Sequence, residues 1–268
     1  MNKERPPERA DLDLAFLARD DLRAVRLLLE YLKPELTLQD HGVHETIVVF
    51  GSTQIVEHAE AQRDLDLARR EAEGRDDPVT QQKLRILERR LANARYYDVA
   101  RAFGELAGRH AERVVMTGGG PGLMEAANRG AAQAGSPTIG LNITLPSEQA
   151  PNPYVSPELS FEFRYFALRK LHFMLRARAL VAFPGGFGTL DELFDVLTLV
   201  QTRKSEALPI VLVGRSFWER VINFDFLVDE GLIRSGDREL IAYAESAEEI
   251  WEVIQGWRPR QDGPGRSS

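Results

Sequence analysis

The chain has 268 residues, a hydrophobic fraction of 43% and a net charge of −7, which suits one large domain, or one domain with appendages, around a sizeable core. The acidic balance argues against a nucleic-acid surface, and the absence of cysteine excludes disulfides, thiolate catalysis and thiolate metal sites. The polar start Met1–Arg9 carries no apolar signal core, and no stretch approaches the ~20-residue apolar span of a membrane helix, so a soluble, cytoplasmic protein with no membrane partner is expected.

Residues 1–10 are polar and proline-bearing and are expected to be disordered. Leu22, Val25, Leu28, Leu29 and Leu32 recur at helical spacing and predict an amphipathic helix ending near Pro34, within a helical extension over residues 11–44. Thr46–Phe50 reads as the first core strand, running into Gly51-Ser52-Thr53, a turn able to contact an anion. Residues 54–77 are charged and alanine-rich with no strand pattern. Asp77-Pro78 has the form of an N-cap followed by proline at the first helical position. A helical pattern then continues to His110 through Leu84, Leu87, Leu91, Tyr97, Val99, Phe103 and Leu106. That is long for one strand-to-helix connection. Part of residues 54–95 is therefore predicted to be an insertion packed on the domain or on a partner subunit, with its Arg/Glu runs as a solvated face.

Arg113–Thr117 is the second predicted strand, followed by the loop Gly118-Gly119-Gly120-Pro121-Gly122 and a helix opening at Leu123. Thr138–Asn142 and Ser160–Arg164 read as strands on either side of a proline-bearing loop that includes Pro146 and Glu148. Phe166–Arg178 reads as a helix carrying Leu168, Leu171, Met174 and Leu175, with Arg169-Lys170 embedded in it. Ala179–Phe183 is apolar without alternation, as in a strand buried on both faces of a parallel sheet. Pro184 ends it, and Gly185, Gly186, Phe187 and Gly188 form a turn that leads to Thr189. Thr189 and Glu192 have the spacing of a capping box, and Leu190, Leu193, Phe194, Leu197 and Val200 give the ensuing helix an apolar face. Strands at Pro209–Val213 and Glu239–Tyr243 alternate with helices near Phe217–Glu230 and Ala247–Trp257, before a loose tail over 259–268. The alternation predicts an α/β, doubly wound (Rossmann-like) parallel sheet of about seven strands with helices on both faces, over residues 45–258. All three glycine-bearing turns fall at strand carboxyl ends, where such sheets bind ligands, so one shared crevice is expected.

A strand, a glycine-rich loop and a helix N-terminus together make a natural phosphate site, through free backbone N–H groups and the helix dipole. Neither loop fits G-x-G-x-x-G, since Leu123 and Asp191 stand where the last glycine would be, and no Gly-Lys-Ser/Thr ends a loop. The five histidines show no metal-ligand spacing and no G-x-S-x-G occurs, so no metal and no cofactor are expected. What remains is a phosphate cradle with the Glu192 carboxylate one helical turn inside it. Arg169 and Lys170, on the preceding helix, could supply positive charge to a phosphate or a leaving base. Glu192 either only caps its helix, or it orients water and offsets a cationic sugar, as carboxylates do when glycosidic bonds are split.

Pro184-Gly-Gly-Phe-Gly-Thr189-Leu-Asp-Glu192 resembles the P-G-G-x-G-T-x-x-E signature of the LOG family, the cytokinin riboside 5′-monophosphate phosphoribohydrolases often mislabelled lysine decarboxylases. Arg169-Lys170 stands where that family has its Arg-Lys pair. Gly118–Met124 is similar to its G-G-G-x-x-G-L-M loop, Gly51-Ser52 to its G-S turn and Pro146-x-Glu148 to its P-x-E. The resemblance covers roughly Thr46 to Val213. It implies that Arg169 and Glu192 are catalytic. It also implies nucleotide contacts from Gly51, Ser52, Gly119, Gly120, Glu148, Lys170, Gly185, Gly186, Phe187, Gly188, Thr189 and Thr198, within a homodimer or higher homo-oligomer. The N-terminal helix, the insertion and the longer C-terminus are like long bacterial members. Glu148 also lies further from Arg169 than in short members, and the preferred base is left open. No lysine sits in a recognisable pyridoxal setting, so the decarboxylase label finds no support in the residues. The alternative from another class is a non-catalytic nucleotide or molybdenum-cofactor carrier, which shared fold cannot exclude. The presence of both Arg169 and Glu192 favours the enzyme.

Overall fold

In the computed structural model, which describes residues 9–75, 77–110, 112–144 and 150–258, the apolar run Thr46–Phe50 forms β1 and is buried at every position. Among the described residues six further strands follow: β2 (Val114–Thr117), β3 (Thr138–Ile143), β4 (Ser160–Phe163), β5 (Ala177–Ala182), β6 (Ile210–Val213) and β7 (Ile241–Ala244). They make one sheet in the order β4-β3-β2-β1-β5-β6-β7, parallel throughout. The order reverses between β1 and β5, the point where a doubly wound sheet opens a crevice. Register sets Phe50 beside Ala182, so the two strands end level with each other at that crevice.

Successive side chains alternate between two cores, as the period of a strand requires. Val48, Phe50, Leu180, Ala182, Ile210 and Leu212 face one, while Ile47, Val49, Ala179, Val181, Val211 and Val213 face the other. In chain order the helices begin with α1 (Leu14–Leu17), α2 (Arg23–Asp40), α3 (His58–Glu71), α4 (Pro78–Asn93), α5 (Arg95–Gly108) and α6 (Leu123–Gln133). They continue with α7 (Phe166–Leu175), α8 (Phe187–Gln201), α9 (Arg215–Val221), α10 (Phe224–Asp229) and α11 (Ala247–Gly256). Leu38 of α2, Phe173 of α7, Leu193 of α8, Trp218 of α9 and Phe224 of α10 close the first core. Phe103 of α5, Ala127 of α6 and Ile250 of α11 close the second.

Three expectations change. The N-terminal helix does not stop near Pro34 but runs to Asp40 with the proline inside it. An interior proline costs a helix about 3 kcal/mol, and contacts beyond it offset that cost. Arg176 grips Glu35 through two 2.7 Å bonds, and Leu38 is fully buried. The helix expected over Phe166–Arg178 ends at Leu175, because Ala177 already pairs with Thr46 of β1. The single helix expected near Phe217–Glu230 is two, α9 and α10, separated by Ile222-Asn223.

Within residues 54–95, α3 and α4 form a helical pair. Ion pairs Asp64–Arg90, Arg69–Glu88 and Glu71–Lys83 run in opposite chain senses, so α3 and α4 are antiparallel. Asp77 caps α4 with Pro78 at its first position, and no residue of α4 is buried. The N-terminal extension braces α7 at both ends. Glu30 accepts the N–H groups of Arg164 and Tyr165 at its start, and Glu35 holds Arg176 at its end. Apart from Arg9 and Ala10, the tails expected to be loose (1–10 and 259–268) lie outside the described residues. Among the described residues no helix is long and apolar enough to cross a membrane.

Candidate active site

At the switch point the carboxyl ends of β1 and β5 open into a cavity of about 310 Å3. Its walls are the turn Gly51–Gln54, the start of α8 from Gly186 to Glu192, and Met124, Phe166 and Arg169. Helix α8 begins at Phe187 with Gly186 at its N-cap, and no side chain caps it. The backbone N–H groups of its first turn are therefore available to an anion, with the dipole behind them. This alters the expected capping box: Thr189 is the third residue of the helix and Glu192 the sixth. Thr189 instead folds back over Gly185, where any Cβ would collide with the Thr189 side chain.

Glu192 stands in the second turn, beyond the strongest influence of the dipole. The buried stripe of α8 is Thr189, Glu192, Leu193, Val196 and Val200, so a carboxylate occupies a position where the helical period calls for an apolar residue. Its side chain is 8% exposed, and no described residue donates a hydrogen bond to it. The nearest cation, Arg169 Nη1, is 3.8 Å from Glu192 Oε1, too far for a hydrogen bond. Burial pushes the Glu192 carboxyl up to about 7, against the pull of Arg169 and Lys170. Glu192 is therefore a group poised at neutral pH rather than one ionised well below it.

Arg169 reaches the cavity from α7 and is itself fixed. Its Nε donates to the Leu141 carbonyl at 2.8 Å, and its Cζ lies 5.2 Å from the centre of the Phe173 ring. Burial lowers its proton affinity, yet a guanidinium remains charged in proteins. A Cβ on Gly118 would come within 2.6 Å of Arg169 Nη2. The glycine loop after β2 is therefore filled by the protein. Gly118, Gly119 and Gly120 are buried, and Gly119 has φ +73° with Asn142 where a side chain would stand. Asn152 Nδ2 lies 3.1 Å from both the Gly119 and the Gly120 carbonyls. The first N–H of α6 is taken by the Ser52 carbonyl at 3.1 Å. The expected three-loop crevice is a two-loop crevice, formed by the turns after β1 and β5, with the third loop behind it.

Of the residues named from sequence, Gly51, Ser52, Arg169, Gly186, Gly188, Thr189 and Glu192 meet around the cavity. Gly119 and Gly120 do not line it. Lys170 pairs with Asp191 at 2.8 Å, and its proton affinity rises through that bond although burial opposes it. Phe187 projects from the glycine loop, 92% exposed. Thr198 sits on the exposed side of α8, about 9 Å along the helix from Glu192. Glu148 lies outside the described residues. Sequence reading passed over Gln54, Met124, Phe166 and Asp191. Phe166 was detectable as the residue one helical turn before Arg169, and Asp191 as the neighbour of Glu192. A larger concavity of about 800 Å3 opens at the opposite, amino-terminal edge of the sheet. There Asp237 is occupied by Gln201 and the Arg234 N–H, and the place is remote from the switch point.

A family model described as "Possible lysine decarboxylase" matches residues 124–254. Cytokinin riboside 5′-monophosphate phosphoribohydrolase LOG1 of Arabidopsis thaliana is 30% identical over 172 residues, which is 62% of this chain and 78% of that one. The chain belongs to the LOG family. LOG2 of Arabidopsis thaliana is 28% identical over 174 residues, covering 62% of this chain and 78% of LOG2. The probable LOG-family phosphoribohydrolase LOGL2 of Oryza sativa subsp. japonica is 28% identical over 172 residues, covering 62% and 68%. Similar solved structures include the molybdenum cofactor carrier protein of Chlamydomonas reinhardtii (19% identity, TM-score 0.46, 79% of this chain and 96% of that one). Another is the molybdenum cofactor binding protein of Rippkaea orientalis (20% identity, TM-score 0.45, the same shares). Among the described residues no lysine lines the cavity.

Proposed function

We propose that this LOG-family site hydrolyses the N-glycosidic bond of a purine or cytokinin-type nucleoside 5′-monophosphate, releasing free base and ribose 5-phosphate. The observation that carries the reading is the buried Glu192 carboxyl, facing the cavity without a hydrogen-bond donor and with Arg169 beside it. The phosphate would sit on the uncapped start of α8, where each charge-assisted hydrogen bond contributes about 1.5–3 kcal/mol. One helical turn further in, ionised Glu192 would hold the attacking water and offset positive charge on the ribose as its bond to the base breaks. The water oxygen bonds to the anomeric carbon, and a water proton passes by way of Glu192 to the departing nitrogen. A carboxyl poised near 7 suits both halves of that transfer. Arg169 would balance negative charge on the leaving base or grip the phosphate.

The test is incubation with nucleoside monophosphates and their nucleosides, following free base and ribose 5-phosphate. Release from AMP and little or none from adenosine is the expected result. Comparable turnover of adenosine overturns the phosphate requirement, and no release from any monophosphate overturns hydrolysis in favour of the carrier reading.

We further propose that the chain works as a homodimer or higher homo-oligomer. Phe166, Leu171 and Leu175 of α7 and Phe194 of α8 are exposed apolar residues, and Phe166 lines the cavity. Thr198 lies outside its own cavity, so any nucleotide contact it makes would be to the nucleotide of a second copy. Light scattering that finds an active 30.2 kDa monomer at micromolar concentration overturns this assembly.

A further inference from the structure

Gln54 and Arg90 have no task in the reaction as proposed, yet they meet at its rim. Gln54 closes the turn after β1 and lines the cavity with Met124 and Phe166, its apolar part. Arg90 belongs to α4, and its Nη2 donates to Gln54 Oε1 at 2.6 Å. Its Nη1 lies 3.4 Å from Asp64 Oδ2 on α3. The arginine arrives from a braced element: Glu57, just before α3, pairs with Arg129 of α6 at 3.2 Å, and the intervening Ile55 is buried.

This pairing decides which way the Gln54 carboxamide faces. A guanidinium can only donate, so the end it touches must be the oxygen, and the amide nitrogen is left to the other side. That nitrogen lies 3.3 Å from Thr53 Oγ1, a second cavity residue. It carries two hydrogens, and one remains for a ligand. The turn itself cannot swing, because the Gln54 N–H is 3.0 Å from Ser52 Oγ and the Ser52 N–H is 3.0 Å from the Pro184 carbonyl.

We propose that the α3–α4 pair is a specificity element of the active site, with Arg90 as the positioning residue that turns the Gln54 amide N–H toward a ring-nitrogen acceptor of the base. The proposal rests on the reading of the cavity as a nucleotide site. It assigns the phosphate end to α8 and the base end to the wall of Gln54, Met124 and Phe166.

The experiment uses the full chain carrying Glu192→Gln, so that ligand is not consumed, and measures binding of AMP and of ribose 5-phosphate by calorimetry. Gln54→Ala and Arg90→Ala are each expected to weaken AMP roughly three- to tenfold, the loss of one hydrogen bond, and to leave ribose 5-phosphate unchanged. The double variant should be no weaker than either single one, and Arg90→Lys should recover part of the loss. Arg69→Ala, which removes the 3.0 Å pair to Glu88 between the same helices, should leave AMP binding intact. With Glu192 restored, KM for AMP should rise and kcat hold. Unchanged AMP affinity, or equal losses for both ligands, overturns the proposal and leaves hydrolysis standing. If the binding pattern holds but the chain with Glu192 releases no base, hydrolysis falls and this inference survives. If AMP does not bind the parent at all, both fall.

Discussion

The glycine-rich turns after β2 and β5 look alike in sequence and differ in what comes close to them. After β5, Gly186 and Gly188 are exposed, a Cβ on either would meet nothing within 4 Å, and the helix start is uncapped. After β2, Gly118–Gly120 are buried against Arg169 and Asn142, the Gly119 and Gly120 carbonyls are tied to Asn152, and the next helix start is closed by Ser52. After β2 the glycines mark a close approach by the protein itself, and after β5 the space beside them stands open. The difference teaches that a glycine loop becomes an anion site only where the fold leaves its N–H groups without partners.

The sharpest way to separate the two loops begins with the carboxyl group behind the open one. Glu192→Gln keeps size and helical fit and removes the charge. Turnover of AMP is expected to fall at least about a hundredfold while AMP still binds; wild-type turnover would return Glu192 to a purely structural role. Because its carboxyl sits near 7, kcat/KM of the native protein should decline on the acid side with an apparent pKa near that value.

The same shift has a stability consequence. The folded-state pKa lies above the 4.5 of an ordinary glutamate, so the stability present below about pH 4.5 is lost as pH rises through about 7. Urea titrations at pH 8 should find Glu192→Gln more stable than the native chain by roughly 1–3 kcal/mol, with the gap closing toward pH 4.5. A gap independent of pH would show that the carboxyl is not held at that value.

Alanine in each loop then breaks the comparison directly. Gly119→Ala forces a left-handed backbone on a side chain and displaces buried Asn142. A loss of about 2 kcal/mol or more in urea is expected. Gly186→Ala, at φ −92° in open space, should change stability by no more than about 0.5 kcal/mol. It should nevertheless raise KM for AMP roughly tenfold by intruding on the phosphate. If Gly186→Ala unfolded the protein while Gly119→Ala impaired only binding, the roles assigned to the two loops would be reversed.

The strands at the centre of the sheet were legible in the chain because a parallel strand buried on both faces is a continuous apolar run, and Thr46–Phe50 is such a run. Helix ends were less so. Pro34 reads locally as a stop, and contacts from elsewhere in the fold keep the helix going: the burial of Leu38 and the pairing of Glu35 with Arg176, 141 residues away. Thr189 and Glu192 read locally as a capping box, but Gly186 is the N-cap. Position 192 thereby moves from the first turn to the second and into the buried stripe. Lys170 was named for the nucleotide, and its partner in the fold is Asp191.

The sequence by itself determined the order of strands and helices, the glycine turns at strand carboxyl ends, and a signature that places the chain in its family. Each of these depends on residues a few positions apart, within reach of steric preference and periodicity. Only the tertiary structure decided which loop stays open, where the Arg169 guanidinium lodges, how tightly Glu192 holds its proton and which way the Gln54 amide faces. These depend on desolvation and on contacts between elements such as β3 with α7 and α4 with the turn after β1. Those partners are 28 and 36 residues apart in the chain, and packing alone makes them neighbours.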